Sequence, residues 1–150
     1  MTTTDLARKL YPGFAKEVDE HKPYATPEHG YQPIINHIGS PLIQVDQDDY
    51  QGDTWVLYGP KRWGYLVVGW GSCSGCDALQ ACSTLEELEK LIHDITESVR
   101  WFDSKDDARK FFNDHDWQAE FSSFYADFWT FVNQARAALD LPPIARKEEP

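Results

Sequence analysis

Three cysteines lie within ten residues of one another, and they are the residues of this chain best suited to chemistry. Cys73 and Cys76 have the C-x-x-C spacing, and Cys82 follows six residues later. Two thiolates at this spacing can occupy adjacent corners of a tetrahedron, so the three cysteines are candidate zinc ligands. A structural zinc ion needs a fourth ligand, for which Asp77 or a histidine would have to serve.

The same segment supports three other interpretations. A C-x-x-C pair between a strand and a helical turn favours thiol redox chemistry, because a helix start lowers the pKa of a thiol. Against this, no β-α-β pattern precedes the pair, and Asp77 disfavours a neighbouring thiolate. Gly71, Ser72, Ser74 and Gly75 could instead form an anion-binding nest. In the last interpretation the glycines make a tight turn and the cysteines are buried as small apolar residues.

The acidic side chains are the second feature with a functional implication. The formal net charge is -11, and residues 71–150 carry 16 acidic and 8 basic side chains. This balance argues against direct binding of nucleic acid or an anionic membrane, because both require a basic surface. We expect instead a protein partner with a basic surface. The seven carboxylates expected to bind it are Glu86, Glu87, Glu89, Asp94, Glu97, Asp106 and Asp107.

Hydrophobic periodicity predicts the strands that position these groups. Residues 42–45, 54–58 and 65–70 are predicted to form an antiparallel meander. The proline- and glycine-rich residues 1–40 are expected to form an irregular arm around the core, with a short helix from Asp5 to about Leu10. The apolar residues of this arm, expected to dock on the core, are Tyr24, Tyr31, Ile34, Ile35 and Ile38.

Residues 84–141 are predicted to form two or three amphipathic helices. Thr84 and Glu87 form a capping box at the start of the first, and apolar residues then recur every three or four positions. Ser104 is the expected N-cap of the second helix.

The third predicted helix runs from about Trp117 or Phe121 to Leu139 and is rich in aromatic residues. Its wide aromatic face is expected to be core, with a homo-oligomer contact as the alternative. A proline pair ends the helix, and residues 142–150 are expected to form a frayed tail.

The chain has 150 residues, the size of one domain, and 14% of them are aromatic, which excludes global disorder. No apolar run approaches the ~20 residues of a membrane span, and the first residues lack the apolar stretch of a secretory signal. We expect a single cytoplasmic α+β domain with an antiparallel sheet of about three strands packed against the C-terminal helices. Its predicted parts are the arm 1–40, the meander and cysteine loop 41–83, the helices 84–141 and the tail 142–150.

The segment G-W-G-S-C-S-G-C-D-A-L-Q, residues 69–80, precedes an acidic helix and the sequence Arg100-Trp101-Phe102. It resembles small uncharacterised proteins of bacteriophages and actinobacteria over roughly residues 50–118, a resemblance that implies no activity. No G-x-S-x-G, Walker A or H-E-x-x-H signature is present.

Together with the acidic charge, this resemblance predicts a non-enzymatic phage or mobile-element factor. Such a factor would inhibit a host nucleic-acid-binding protein by presenting carboxylates in place of phosphates. The alternative is a cysteine-based zinc or thiol-redox protein. No cofactor other than zinc is predicted.

Overall fold

The computed structural model describes residues 3–73 and 75–147, and within these ranges it has the predicted α+β fold. Its centre is an antiparallel sheet in which four strands follow one another in chain order. These strands are β1 (Pro41–Asp46), β2 (Gly52–Tyr58), β3 (Gly64–Trp70) and β4 (Arg100–Trp101). The prediction of about three strands missed β4, because a two-residue strand leaves no periodic pattern in a sequence.

Six α-helices lie in the described ranges, and they are α1 (Asp5–Leu10), α2 (Pro12–Asp19), α3 (Gln32–Ile38), α4 (Leu85–Ser98), α5 (Lys105–Asp114) and α6 (Ala126–Ala138). The predicted caps of α4 and α5 are confirmed. Thr84 Oγ1 accepts the N–H of Glu87 at 3.1 Å, and Ser104 Oγ accepts the N–H of Asp107 at 3.1 Å. None of the helices that the structure describes is both long enough and apolar enough to cross a membrane.

Helices cover both faces of the sheet. On one face, Val56 and Leu66 pack against Ile35 of α3 and against the last turn of α4. On the other face, Trp55 and Leu57 pack against α5 and α6. Neighbouring residues of β2 point to opposite faces because side chains alternate along a strand. As a result, α4 and α5 lie on opposite sides of the sheet.

Residues 3–40 contain three helices, of which α1 confirms the predicted short helix. The prediction that the rest of this arm is irregular is wrong, because α2 and α3 also form there. Pro12 is the first residue of α2, and Pro33 lies in the first turn of α3. Proline is favoured there because the first N–H groups of a helix have no intrahelical partner. Tyr24 is 97% exposed, contrary to its expected docking. The residues that do pack on the core are Tyr31, Ile34, Ile35 and Ile38.

The third predicted helix begins later than expected. Trp117–Ala119 and Phe121–Phe124 form two 3₁₀ turns, and α6 follows them. Phe128 and Phe131 of α6 are buried, which agrees with the core interpretation of the aromatic face. A homo-oligomer formed through the C-terminal aromatic helix stays a prediction. The exposed phenylalanines of its expected aromatic face, Phe121 and Phe124, lie in the second 3₁₀ turn.

The segment after α6 is docked as far as the structure describes it, which corrects the expectation of a frayed tail. The side chain of Asn133 exchanges two hydrogen bonds of 2.8 Å with the backbone of Ile144. The buried Arg136 donates from Nε to the Pro142 carbonyl at 2.7 Å and from Nη1 to a carbonyl of α5 at 2.9 Å. The last three residues, 148–150, lie outside the described ranges.

Candidate functional site

The loop after β3 brings two of the three cysteines together. Cys73 and Cys76 are both exposed, and their Sγ atoms are 2.9 Å apart. Cys82 is instead buried in a core cluster with residues of α1 to α4, and its thiol donates to the Ala78 carbonyl at 3.4 Å. The interpretation of the cysteines as small buried residues therefore fits only Cys82.

Residues 3–73 and 75–147, which the structure describes, contain no preformed zinc site. There, no three cysteine, histidine, aspartate or glutamate side chains come together as a metal would require. Asp77, considered above as the fourth ligand, already accepts four hydrogen bonds. Their donors are the Gly71 N–H, the Tyr31 hydroxyl, the Leu79 N–H and the Gln80 N–H. Zinc binding by all three cysteines stays a prediction, and it would require the loop to rearrange.

Cys76 is the thiol that its surroundings favour as a thiolate. Its Sγ accepts the N–H of Cys73 at 3.2 Å and lies within hydrogen-bond distance of the Cys73 thiol. Hydrogen bonds from the Cys73 thiol, and then from the Cys73 backbone, lower the pKa of Cys76 below that of an ordinary cysteine. When protonated, Cys76 can instead donate to the Cys73 carbonyl at 3.3 Å. An exposed, activated thiol beside a second thiol is suited to disulfide exchange.

Gly71 fixes the backbone that leads from β3 into this loop. Its N–H donates to Asp77 Oδ2 at 2.9 Å, and its carbonyl accepts Gln80 Nε2 at 3.0 Å. A Cβ at this position would lie 2.5 Å from the Cys76 carbonyl oxygen and 2.7 Å from Cys76 Sγ. Only glycine allows the backbone to approach Cys76 so closely.

Tyr31 connects the N-terminal region to the loop. Its hydroxyl donates to Asp77 Oδ1 at 2.8 Å and accepts the N–H of Leu79 at 3.1 Å. Burial, and then the bond to Asp77, raise the pKa of Tyr31, so that it stays a donor at neutral pH. No local sequence pattern indicates this role, because the two partners are 46 residues apart.

The anion nest is only partly described by the structure. Ser74, one of its four predicted residues, lies outside the described residues. The N–H of Gly71, a second member, is already bound by Asp77. The nest therefore supplies fewer free donors than its sequence suggests.

One of the seven predicted partner-binding carboxylates is buried. Glu89 is 1% exposed, so its assignment to an exposed binding surface is wrong. Its Oε1 accepts the N–H groups of Leu6 and Ala7 at 2.9 and 3.1 Å. Glu89 is buried because the first turn of α1 packs on α4 and directs its unpaired N–H groups at this carboxylate.

The remaining six carboxylates do not form one surface. Glu86, Glu87, Asp94 and Glu97 belong to α4, whereas Asp106 and Asp107 belong to α5 on the other side of the sheet. In addition, Glu87 accepts hydrogen bonds from Ser83 and Thr84, and Asp94 pairs with Lys90 at 2.7 Å.

Because Cys82 is buried, we expect it to react more slowly than the two exposed cysteines. Burial, and then the nearby carboxylate of Glu87, raise the pKa of Cys82 to about 11. Because the thiolate is the reactive form, we expect an alkylating reagent at neutral pH to modify Cys82 at least ~10-fold more slowly than Cys73 and Cys76. Mass spectrometry of the time course, with Cys82→Ser as control, measures this difference. Equal rates at all three thiols would contradict it.

The comparisons with known families, proteins and folds do not test the resemblance to small phage and actinobacterial proteins. It stays a prediction, and so does the phage or mobile-element origin that it suggests. No family model, no curated protein and no solved structure matches this chain.

Proposed function

We propose that Cys73 and Cys76 form a redox-active dithiol through which the protein exchanges disulfides with another molecule. The observation that carries this proposal is the 2.9 Å separation of two exposed Sγ atoms. Sulfur atoms at this separation need only a small approach to form a covalent bond. A hydrogen bond from the Cys76 N–H to the Cys73 carbonyl at 3.1 Å keeps the two residues adjacent.

The two thiols have different roles in the exchange. The Cys76 thiolate attacks one sulfur of a substrate disulfide, whose S–S bond breaks and releases one thiolate. Cys73 then loses its proton to solvent and attacks Cys76 Sγ in the mixed disulfide, which releases the second thiolate. The two released thiolates take up protons, so the substrate is reduced by two electrons and the Cys73–Cys76 pair is oxidised by two.

The test uses the reduced full-length chain and an uncharged disulfide, hydroxyethyl disulfide. We expect the wild-type protein to lose two thiols and to form an internal Cys73–Cys76 disulfide. Cys73→Ser should stop at a mixed disulfide on Cys76, whereas Cys76→Ser should react several-fold more slowly. Cys82→Ser should behave as the wild type does. Intact mass and peptide mapping after acid quenching distinguish these products.

Two results would overturn the dithiol function. One is a reduced protein that keeps all three thiols in excess disulfide while its fold is intact by circular dichroism. The other is stoichiometric zinc in the purified protein, released together with the three thiols on chelation, which would establish the metal-site alternative instead.

Binding of a basic protein partner stays a proposal, with fewer carboxylates than the seven predicted from the sequence. It now depends on the exposed carboxylates of α4, of which Glu86 and Glu97 have no part in a cap or in the Lys90 pair. The overall charge of -11 supports a basic partner. The separation of α4 from α5 argues against the hypothesis that all seven carboxylates together stand in place of phosphates.

A further inference from the structure

A groove of about 330 Å³ lies beside Cys76, and we call it the thiol groove. It lies between the β1–β2 loop, the end of β3, the cysteine loop and the second 3₁₀ turn. The residues of its wall that matter here are Asp53, Trp70, Cys76, Phe121, Ser122 and Tyr125. The attacking sulfur of the proposed exchange thus belongs to a residue in the wall of a recess large enough for a few side chains.

The wall of the thiol groove contains exposed aromatic residues. Phe121 is 80% exposed and Tyr125 is 38% exposed, although most large apolar side chains of the chain are buried. The turn that carries them is held in place, because Trp129 Nε1 donates to the Ser123 carbonyl at 2.8 Å. Exposed aromatic residues on a fixed backbone beside a reactive group are suited to hold the apolar part of a ligand.

The wall of the thiol groove also contains one negatively charged residue and no positively charged one among the described residues. Asp53 contributes a carboxylate, whose Oδ2 accepts the Ser122 hydroxyl at 3.1 Å. Among the described residues of the groove wall there is no lysine, arginine or histidine. Arg146 stacks on the neighbouring Phe124 at 4.3 Å, but Phe124 does not line the groove. A cationic group approaching Cys76 is therefore attracted, and an anionic group is repelled.

We propose that the thiol groove selects its substrate by charge, favouring a polypeptide disulfide flanked by basic and aromatic residues over an anionic disulfide such as that of glutathione. This inference rests on the proposed dithiol function and names the substrate class of the same site. In the selected exchange, Cys76 attacks the substrate sulfur, the substrate S–S bond breaks, and Cys73 completes the two-electron transfer. The basic flank lies beside Asp53, and the apolar flank contacts Phe121 and Tyr125.

The experiment compares three small disulfides of different charge: cationic cystamine, uncharged hydroxyethyl disulfide and anionic glutathione disulfide. Each rate of oxidation is divided by the rate for free dithiothreitol, which removes intrinsic differences in reactivity. We expect the normalised rate for cystamine to exceed that for glutathione disulfide on the order of 10-fold at low salt. The preference should largely disappear in about 1 M salt, where the Debye length is ~3 Å.

Matched variants separate the groove from the charge of the whole molecule. Asp53→Asn keeps an acceptor for Ser122 and should lower the ratio of the cystamine rate to the uncharged-disulfide rate several-fold. Asp106→Asn removes the same charge outside the groove and should have little effect. Phe121→Ala should slow a cationic peptide disulfide that carries phenylalanine beside its cysteine several-fold more than it slows cystamine.

The possible outcomes distinguish this inference from the function on which it rests. Equal normalised rates for the three disulfides would overturn charge selection and leave the dithiol function intact. Equal losses of selectivity in Asp53→Asn and Asp106→Asn would overturn the role of the groove. A failure to react with the uncharged disulfide would overturn the dithiol function itself.

Discussion

Replacing Trp117 with alanine should lower the free energy of unfolding by about 3–5 kcal/mol. Trp117 is 2% exposed, and its ring centroid lies 5.0 Å from that of Phe112 and 5.7 Å from that of Tyr65. Its Nε1 also donates to the Phe112 carbonyl at 3.0 Å. The alanine variant would leave a large cavity between the sheet and α5, and that carbonyl would keep only Arg136 as a donor.

Urea unfolding followed by circular dichroism measures this loss. The control is Trp117→Phe, which keeps much of the aromatic packing but lacks the donor, so its loss should be about 1–2 kcal/mol. Since domains are typically stable by only about 5–15 kcal/mol, the alanine variant should be close to unfolding at physiological temperature. A loss below about 1 kcal/mol in Trp117→Ala would contradict the central place of this residue in the core.

Replacing Glu89 with alanine should cost about 2–4 kcal/mol and should affect α1 most. The variant leaves the N–H groups of Leu6 and Ala7 without their acceptor at the start of a helix. The second oxygen of the carboxylate, Oε2, lies 3.3 Å from His93 Nε2 but makes no hydrogen bond. The stabilisation therefore comes mainly from Oε1 and from the negative charge at a helix N-terminus.

Amide hydrogen exchange can localise this effect. Protection should fall in α1 in Glu89→Ala and much less in β2 and β3. Glu89→Gln keeps an acceptor oxygen without the charge, so we expect an intermediate loss. If Glu89→Ala were as stable as Glu86→Ala, which changes an exposed glutamate in the same turn, the anchoring role would be wrong.

Much of the fold could be predicted because local signals agreed with the tertiary structure. The meander has long apolar strands, and α4 and α5 carry side-chain caps in front of a clear helical period. The helices α2 and α3 were missed because each is no longer than eight residues and has a proline at its start. Over such a length periodicity is weak, and a proline that starts a helix looks the same as one that breaks it.

In the candidate site, too, the features that depend on local sequence could be predicted, and those that depend on distant segments could not. The proximity of Cys73 and Cys76 follows from their spacing, because only three peptide bonds separate the two residues. The separation of Cys82, the burial of Glu89 and the contact between Tyr31 and Asp77 depend on segments far apart in the chain. The burial of Glu89 shows the limit of the helical period, which marks a position near the buried face but does not identify the neighbour that covers it.

The hydrogen bonds that hold Gly71 and Asp77 in the described part of the cysteine loop involve no cysteine sulfur. Gly71 is held on both sides by a carboxylate and an amide, and the carboxylate is held in turn by Tyr31. In the exchange proposed above, the sulfur pair can therefore be oxidised and reduced while these hydrogen bonds around Gly71 are kept. The proposed cycles of oxidation and reduction would therefore need little rearrangement of the residues around Gly71.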